Sequence, residues 1–495
     1  MTPRLKPSAH DQAPTGVFAS TPALRDLQVV IDDEAFPLEP PPGWNWQALL
    51  GGLLTHENVK VVRYRDDGAP PETPRMSLLD DAVSAPIGWI EVIPAADDSL
   101  FSHEVKSSDG AGISQTGIFG DAIEHAERDV RTVAYRRLAP GEASPARHAD
   151  AIAVQAAQAL KADIFVTERE YLHAVRWALT DGVTICTPRQ ALALVGLYLR
   201  TRGEFLEWKG QGVTVRTSKA GYFMVGAREM LPAGWKWVRA CVEHDRANAT
   251  EELTHLAAAV FQRVSRALQA RDGLLRAMSV RQDPNSVEDA LREFDACMVF
   301  LMGALDAAAR VTHRVVTHPM NPRNAGWQRL DWMKETARRC PELGAVLQVG
   351  SANAHALTIL NLMRNTVHDA GLQAVNLAQS AQPDQTLIGL PKPDQAKVIQ
   401  AVEALGGSSA WGIYQLAPGM LHADPHTFLE ALFPATLTLL NDLLAATPME
   451  QLPGYSLADE DTRPPEGEGM YGPKARDSIR WQLGLQVRGL APSAG

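Results

Sequence analysis

Two sets of side chains in this chain have the types and spacing to do chemistry. The first is acidic. The apolar run Leu27-Gln28-Val29-Val30-Ile31 leads straight into Asp32, Asp33 and Glu34, and a small-residue helix is expected to open on Asp150. A second apolar strand, Ile164-Phe165-Val166, ends in Thr167 with Glu168 and Glu170 beside it. Acids at the carboxyl ends of buried strands lie where an open α/β sheet keeps its binding crevice, which is a reason to suspect a metal-dependent active site. The second set is Arg364 and His368, four residues apart in Leu-Met-Arg-Asn-Thr-Val-His-Asp and so on one helix face. A histidine beside an arginine could act as general acid or base while the arginine steadies a phosphate.

Each set also has a plain structural reading. Asp32 and Asp150 could be a strand-end residue and a helix cap. Arg364 could pair with Asp306 or Asp295, with His368 packing or capping, because buried charges need partners for structural reasons alone. Neither His313 with His318 nor His422 with His426 completes a set of three or four metal ligands. The chain has no G-x-x-x-x-G-K-[ST] and no G-x-S-x-G.

These residues need elements to position them. The chain has 495 residues, 45% hydrophobic and 21% charged, enough for two or three domains of ordinary soluble composition. Its net charge of −11 argues against a surface coated for non-specific nucleic-acid binding, but leaves room for a local basic groove among the arginines dense between 263 and 339. Four scattered cysteines, Cys186, Cys241, Cys297 and Cys340, read as reduced buried thiols of a cytoplasmic protein. No run of about 18 apolar residues predicts a membrane span, and the N-terminus lacks the apolar core of a signal peptide.

Residues 1–24 read as a flexible lead-in. Over 25–202 the pattern alternates: strands at 27–31, 59–64, 87–93, 164–166 and 183–186, with helices at 46–54, 121–138 and from 149. That alternation implies a mostly parallel sheet flanked by helices. Residues 203–243 read as a connector holding a β-hairpin of 212–217 against 222–225. Residues 244–450 read as an all-α bundle, with helices including 326–339, 343–369, 395–405 and 425–446 and a polar interruption at 378–396. Residues 451–495 read as a mostly irregular tail in which 479–485 could dock.

The segment from 150 to 167 resembles the closing half of a PIN domain, which tends to read D-A-L-I-A-A-x-A-x-x-L-G-A-D-x-x-V-T-x-D. Asp150, Ala151, Ile152, Ala153, Ala157, Leu160, Ala162, Asp163, Val166 and Thr167 fall at the matching offsets without a gap. VTICTPRQAL resembles that family's last strand and Pro-led helix, and VVIDDEAF its first strand. The resemblance implies a metal-dependent ribonuclease in which Asp32 and Asp150 bind Mg2+ or Mn2+, with single-stranded RNA as partner and a place in stress response or phage defence. The family's fourth acid follows the threonine by two places, where this chain has Arg169; Glu168 or Glu170 could substitute, Glu168 as a metal ligand. The family's helical glutamate would be Glu124 or Glu127, with Glu91 a further candidate. The Arg364/His368 segment resembles the R-N-x-x-H motif of HEPN-like helical domains, which implies a metal-independent RNase alternative and a homodimer through the helical domain. A third expectation is a catalytically inactive RNA- or protein-binding module, favoured by the net acidity and by Arg169.

Overall fold

The predicted strand at 27–31 lies near the middle of a seven-stranded sheet. The computed structural model describes residues 25–36, 43–66, 75–77, 84–86, 88–94, 102–107, 114–118, 145–174, 183–210, 213–279, 284–369, 371–379, 382–458, 462–467 and 469–484. Strands β1 (Leu27–Asp32), β2 (Val59–Tyr64), β5 (Gly88–Pro94), β8 (Ile164–Val166) and β9 (Thr184–Cys186) run parallel in the order β5-β2-β1-β8-β9. The antiparallel strands β6 (Ser102–Ser107) and β7 (Ser114–Ile118) extend the β5 edge. A separate two-stranded ribbon pairs β3 (Arg75–Ser77) with β4 (Ser84–Pro86).

Strand alternation decides which helix each residue meets. Val29 and Ile31 face α1 (Trp46–Leu54) and α4 (Pro188–Thr201), where Leu49, Leu53, Leu192 and Val195 complete one core. Val30 faces the other way, into a core with Phe165, Ala153, Val154 and Ala157 from α2 (Pro145–Ala159). Asp32 has the parity of Val30, so its side chain belongs to the α2 face. Helix α2 opens at Pro145, not at Asp150 as predicted. Asp150 therefore sits inside the helix and is no cap. It shares the sheet-facing stripe with Val154 and Ala157. The predicted helix at 121–138 lies outside the described residues, as do Glu124, Glu127 and the side chain of Glu91. Helix α4 starts where Thr187-Pro188 predicts: Thr187 accepts from the Gln190 amide and Gln190 reciprocates, a capping box with proline at the first position.

The hairpin forms with a different partner from the one expected. Strand β11 (Val213–Arg216) pairs with upstream β10 (Leu206–Gly210), and the predicted strand at 222–225 is part of helix α5 (Lys219–Glu229). Ser218 caps α5 by accepting from the Gly221 amide, and Tyr222, Phe223, Gly226 and Ala227 bury at three-and-four spacing. Aromatic and β-branched residues there satisfy either period over so short a run, and the cap decides.

Beyond it come α6 (Gly234–Asn248), α7 (Glu252–Met278), α8 (Pro284–Val315), α9 (Leu330–Arg339), α10 (Pro341–Val346) and α11 (Ala352–Asp369). The predicted helix over 343–369 is two helices, α10 and α11, with Gly350 at φ 84° in the break between them. The all-α expectation is also corrected. A four-stranded antiparallel sheet, β12 (Ala374–Gln379), β13 (Gln382–Gly389), β15 (Met420–Ala423) and β14 (Ile413–Ala417) in that order, packs beside the helices. Helices α12 (Gln395–Glu403) and α13 (Pro425–Ala446) follow the predicted spans closely. Helix α13 is long and apolar enough to cross a membrane, but Phe428, Leu432, Leu439, Leu440 and Leu443 spend that apolar surface on the helical core. All four cysteines are free and buried.

The expected docking in the tail is made by α14 (Pro473–Leu483). Ile479 and Leu483 join the helical core while Trp481 joins the core under β1, so this one helix closes the seam between the two regions. Gly196 permits the approach: a Cβ there would lie 3.1 Å from Arg200 Nη1 and 3.2 Å from the Gln482 side chain.

His313 and His318 form a structural stack rather than a ligand set. Their rings are 5.0 Å apart, and His318 stacks in turn on Trp332. Trp332 Nε1 donates to His313 Nδ1 at 3.2 Å, so that nitrogen must be unprotonated. Burial, with His318 and Arg314 nearby, pushes His313 down to about 4. Its folded pKa lies below the unfolded value, so the unfolded state binds more protons between the two. Stability should therefore fall as pH drops from about 6.5 towards 4, by up to about 3 kcal/mol. Urea melts at pH 7.5 and 5 check this; His313→Asn should flatten the dependence, and an unchanged slope in that variant contradicts the assignment.

Candidate functional site

The register of the parallel sheet brings the acids together. Ile31 pairs with Val166 across β1 and β8, which sets Asp32 and Thr167 side by side just beyond the last ladder pair. Thr167 Oγ1 donates to Asp32 Oδ2 at 2.8 Å and accepts from the Arg169 amide at 3.2 Å, so the threonine both fixes the carboxylate and turns the chain. From the α2 side, Asp150 reaches the same point. Asp32 is 2% exposed and Asp150 9%.

Arg169 occupies that point. Its Nε donates to Asp32 Oδ2 at 2.6 Å, Nη1 to Asp150 Oδ1 at 3.0 Å, and Nη2 to Asp66 Oδ1 at 3.1 Å. The guanidinium thus ties β1, α2 and the turn after β2 with one planar fork. It also lies over the Tyr64 ring, 5.7 Å from its centroid. Burial alone would lower the arginine, but its hydrogen bonds with Asp32 and Asp66 and their charges raise it above its ordinary value. Burial raises Asp150 above the usual carboxylate range even though Arg169 pulls it down. Burial, with Asp66 adjacent, likewise raises the Tyr64 phenol.

Sequence reasoning singled out Asp32 and Asp150, and they converge. It missed Asp66, whose side chain is half exposed at 51%. Asp66 lies two residues beyond β2 much as Asp32 ends β1, and the strand-end rule applied to Val-Val-Arg-Tyr-Arg-Asp would have found it. Glu168 and Glu170 are exposed, and among the described residues neither makes an ion pair or hydrogen bond to the cluster.

A divalent cation needs oxygen lone pairs aimed into a shared volume. Here N–H donors fill that volume, and arginine has no lone pair to give. Among the described residues no group of three or more His, Cys, Asp and Glu is arranged to hold a metal. As arranged, the donor set does not fit Mg2+ or Mn2+.

The second candidate lies on α11. Leu360 and Met363 bury fully and Val367 packs beside them, the stripe that the spacing predicts. Arg364 is half-buried beside it and donates to Asn365 Oδ1 at 3.3 Å; among the described residues it pairs with neither Asp306 nor Asp295. His368 lies on the helix, but its side chain is outside the described residues. No family model, no curated protein and no solved structure matches this chain.

Proposed function

We propose that the chain is a catalytically silent interaction or sensor module: a PIN-like sheet whose acidic crevice is closed by its own arginine, joined to a HEPN-like helical region. One observation carries this reading. Arg169 stands at the place of the resembled family's fourth acid, and its guanidinium bonds Asp32, Asp66 and Asp150 at once. One guanidinium charge offsets only part of the mutual repulsion of three carboxylates, but its N–H groups bond all three at once and so hold the cluster without a soluble cation.

A second reading, a ribonuclease dependent on Mg2+ or Mn2+, is favoured by the convergence of Asp32, Asp66 and Asp150 from separate elements at the carboxyl end of a parallel sheet. A single-stranded RNA cleavage assay with Mn2+ separates the two. The silent reading expects no cleavage by the native protein and a gain in Arg169→Asp, which restores the fourth acid. Native cleavage abolished in Asp32→Asn would establish the ribonuclease instead. Cleavage that survives EDTA and disappears in His368→Ala would move the activity to α11 and overturn the silent reading.

A further inference from the structure

Helices α4, α5, α7 and α8 leave a half-open cleft of about 440 Å3 at the seam between the sheet region and the helical region. Its wall carries four cations, Arg200, Lys219, Arg266 and Arg276, against two acids, Asp272 and Glu293. Both acids are already engaged. Asp272 is held by Arg200 at 2.6 Å, and Glu293 by Arg292 at 3.0 Å. That leaves Lys219, Arg266 and Arg276, all exposed, and among the described residues no carboxylate forms an ion pair with any of them. In a chain of net charge −11 this is a local excess of positive charge with nothing of its own to neutralise.

The placement is not that of scattered surface charge. Arg266, Gln269, Gly273 and Arg276 recur at three and four residues and form the face of α7 that lines the cleft. Lys219 lines the cleft with them as the first residue of α5, at the positive end of that helix. Apolar rings complete the wall. Phe205, Phe223 and Phe300 line it, with the Arg266 guanidinium 6.0 Å from the Phe300 centroid. The volume falls in the range of small-ligand pockets, several times what a lone phosphate needs.

We propose that this cleft binds a nucleotide, its phosphates held by Lys219, Arg266 and Arg276 and its base set against the phenylalanine rings. The occupant would touch α4 of the sheet region and α7 of the helical region at once. The inference is independent of the carboxylate cluster, since none of its residues lines the cleft.

Calorimetric titration of the full-length protein with ATP, AMP, adenosine and pyrophosphate is the test. ATP should bind saturably at one site, more weakly as salt rises, with AMP, adenosine and pyrophosphate each at least about tenfold weaker. The double variant Arg266→Glu/Arg276→Glu should weaken ATP by about tenfold or more while its circular dichroism stays native. Lys219→Glu, on α5, should repeat the loss and guards against misfolding of the double variant. No saturable ATP binding at about millimolar concentration, equal affinity in the charge-reversed variants, or pyrophosphate binding as tightly as ATP would each overturn the proposal.

Discussion

Arg169→Ala should destabilise the sheet region by about 3–5 kcal/mol at neutral pH, the range found when one partner of a buried ion pair is removed. Asp32 and Asp150 are nearly buried and both form ion pairs with this guanidinium. Without it, burial and the neighbouring Asp66 and Asp32 charges hold the Asp150 carboxyl still further above the unfolded value of about 3.9. The folded variant then binds more protons than the unfolded chain, so its stability falls as pH rises and returns as pH drops towards about 5. The native protein should show a weaker dependence of the same sign, because burial already raises Asp150 there while Arg169 pulls it down. Arg169→Lys should recover only part of the loss, since a single ammonium cannot span three carboxylates with a planar fork. Urea denaturation followed by circular dichroism at both pH values measures this. A variant as stable as the native protein at neutral pH would mean that the arginine is not holding the cluster.

Asp272→Ala should cost a similar amount, about 3–5 kcal/mol, by stranding a buried cation at the seam. Arg200 leaves α4 and meets Asp272 of α7 through two bonds, Nε to Oδ2 at 2.6 Å and Nη2 to Oδ1 at 3.0 Å. Its remaining nitrogen donates to the Tyr222 hydroxyl at 3.2 Å and to the Gln482 carbonyl at 3.5 Å. One side chain therefore ties α4, α5, α7 and α14. Burial alone would lower the arginine and Asp272 raises it above its ordinary value; a guanidinium is basic enough to stay charged in a protein even when that partner is lost. The double variant Arg200→Leu/Asp272→Leu should lose less than the sum of its single changes, because removing both charges leaves neither one stranded. Calorimetric melts of the three variants give the coupling directly. An Asp272→Ala melt within about 1 kcal/mol of native stability would show that the pair is not what fastens the seam.

How much of this could be read from residue order depended on how local the signal was. Strands β1, β2, β8 and β9 are short apolar runs with plain boundaries, and helix α13 announces itself by Asp424-Pro425 and a long leucine-rich face. The β12–β15 sheet did not show, because β13 opens on the polar run Gln382-Pro383-Asp384-Gln385-Thr386 and pairs with β15 across the intervening α12. A pairing set by distant chain leaves no periodic mark on either segment. The stretch at 222–225 satisfied strand and helix alike, and the Ser218 cap decided it. At the site, Asp32 and Asp150 were legible from strand ends and helix spacing. Asp66 was overlooked although its position follows the same rule. Arg169 was legible as the residue at the resembled family's fourth-acid place, but not as a clamp on three carboxylates: only the fold turns it inward, while the flanking Glu168 and Glu170 are exposed.

The most direct measurement is a calorimetric titration of MnCl2 into the native protein and into Arg169→Asp. If the guanidinium serves as the cation of this crevice, the native protein takes up no manganese there, and the variant gains one saturable site that Asp32→Asn removes. Stoichiometric uptake by the native protein, abolished by Asp32→Asn, would contradict it.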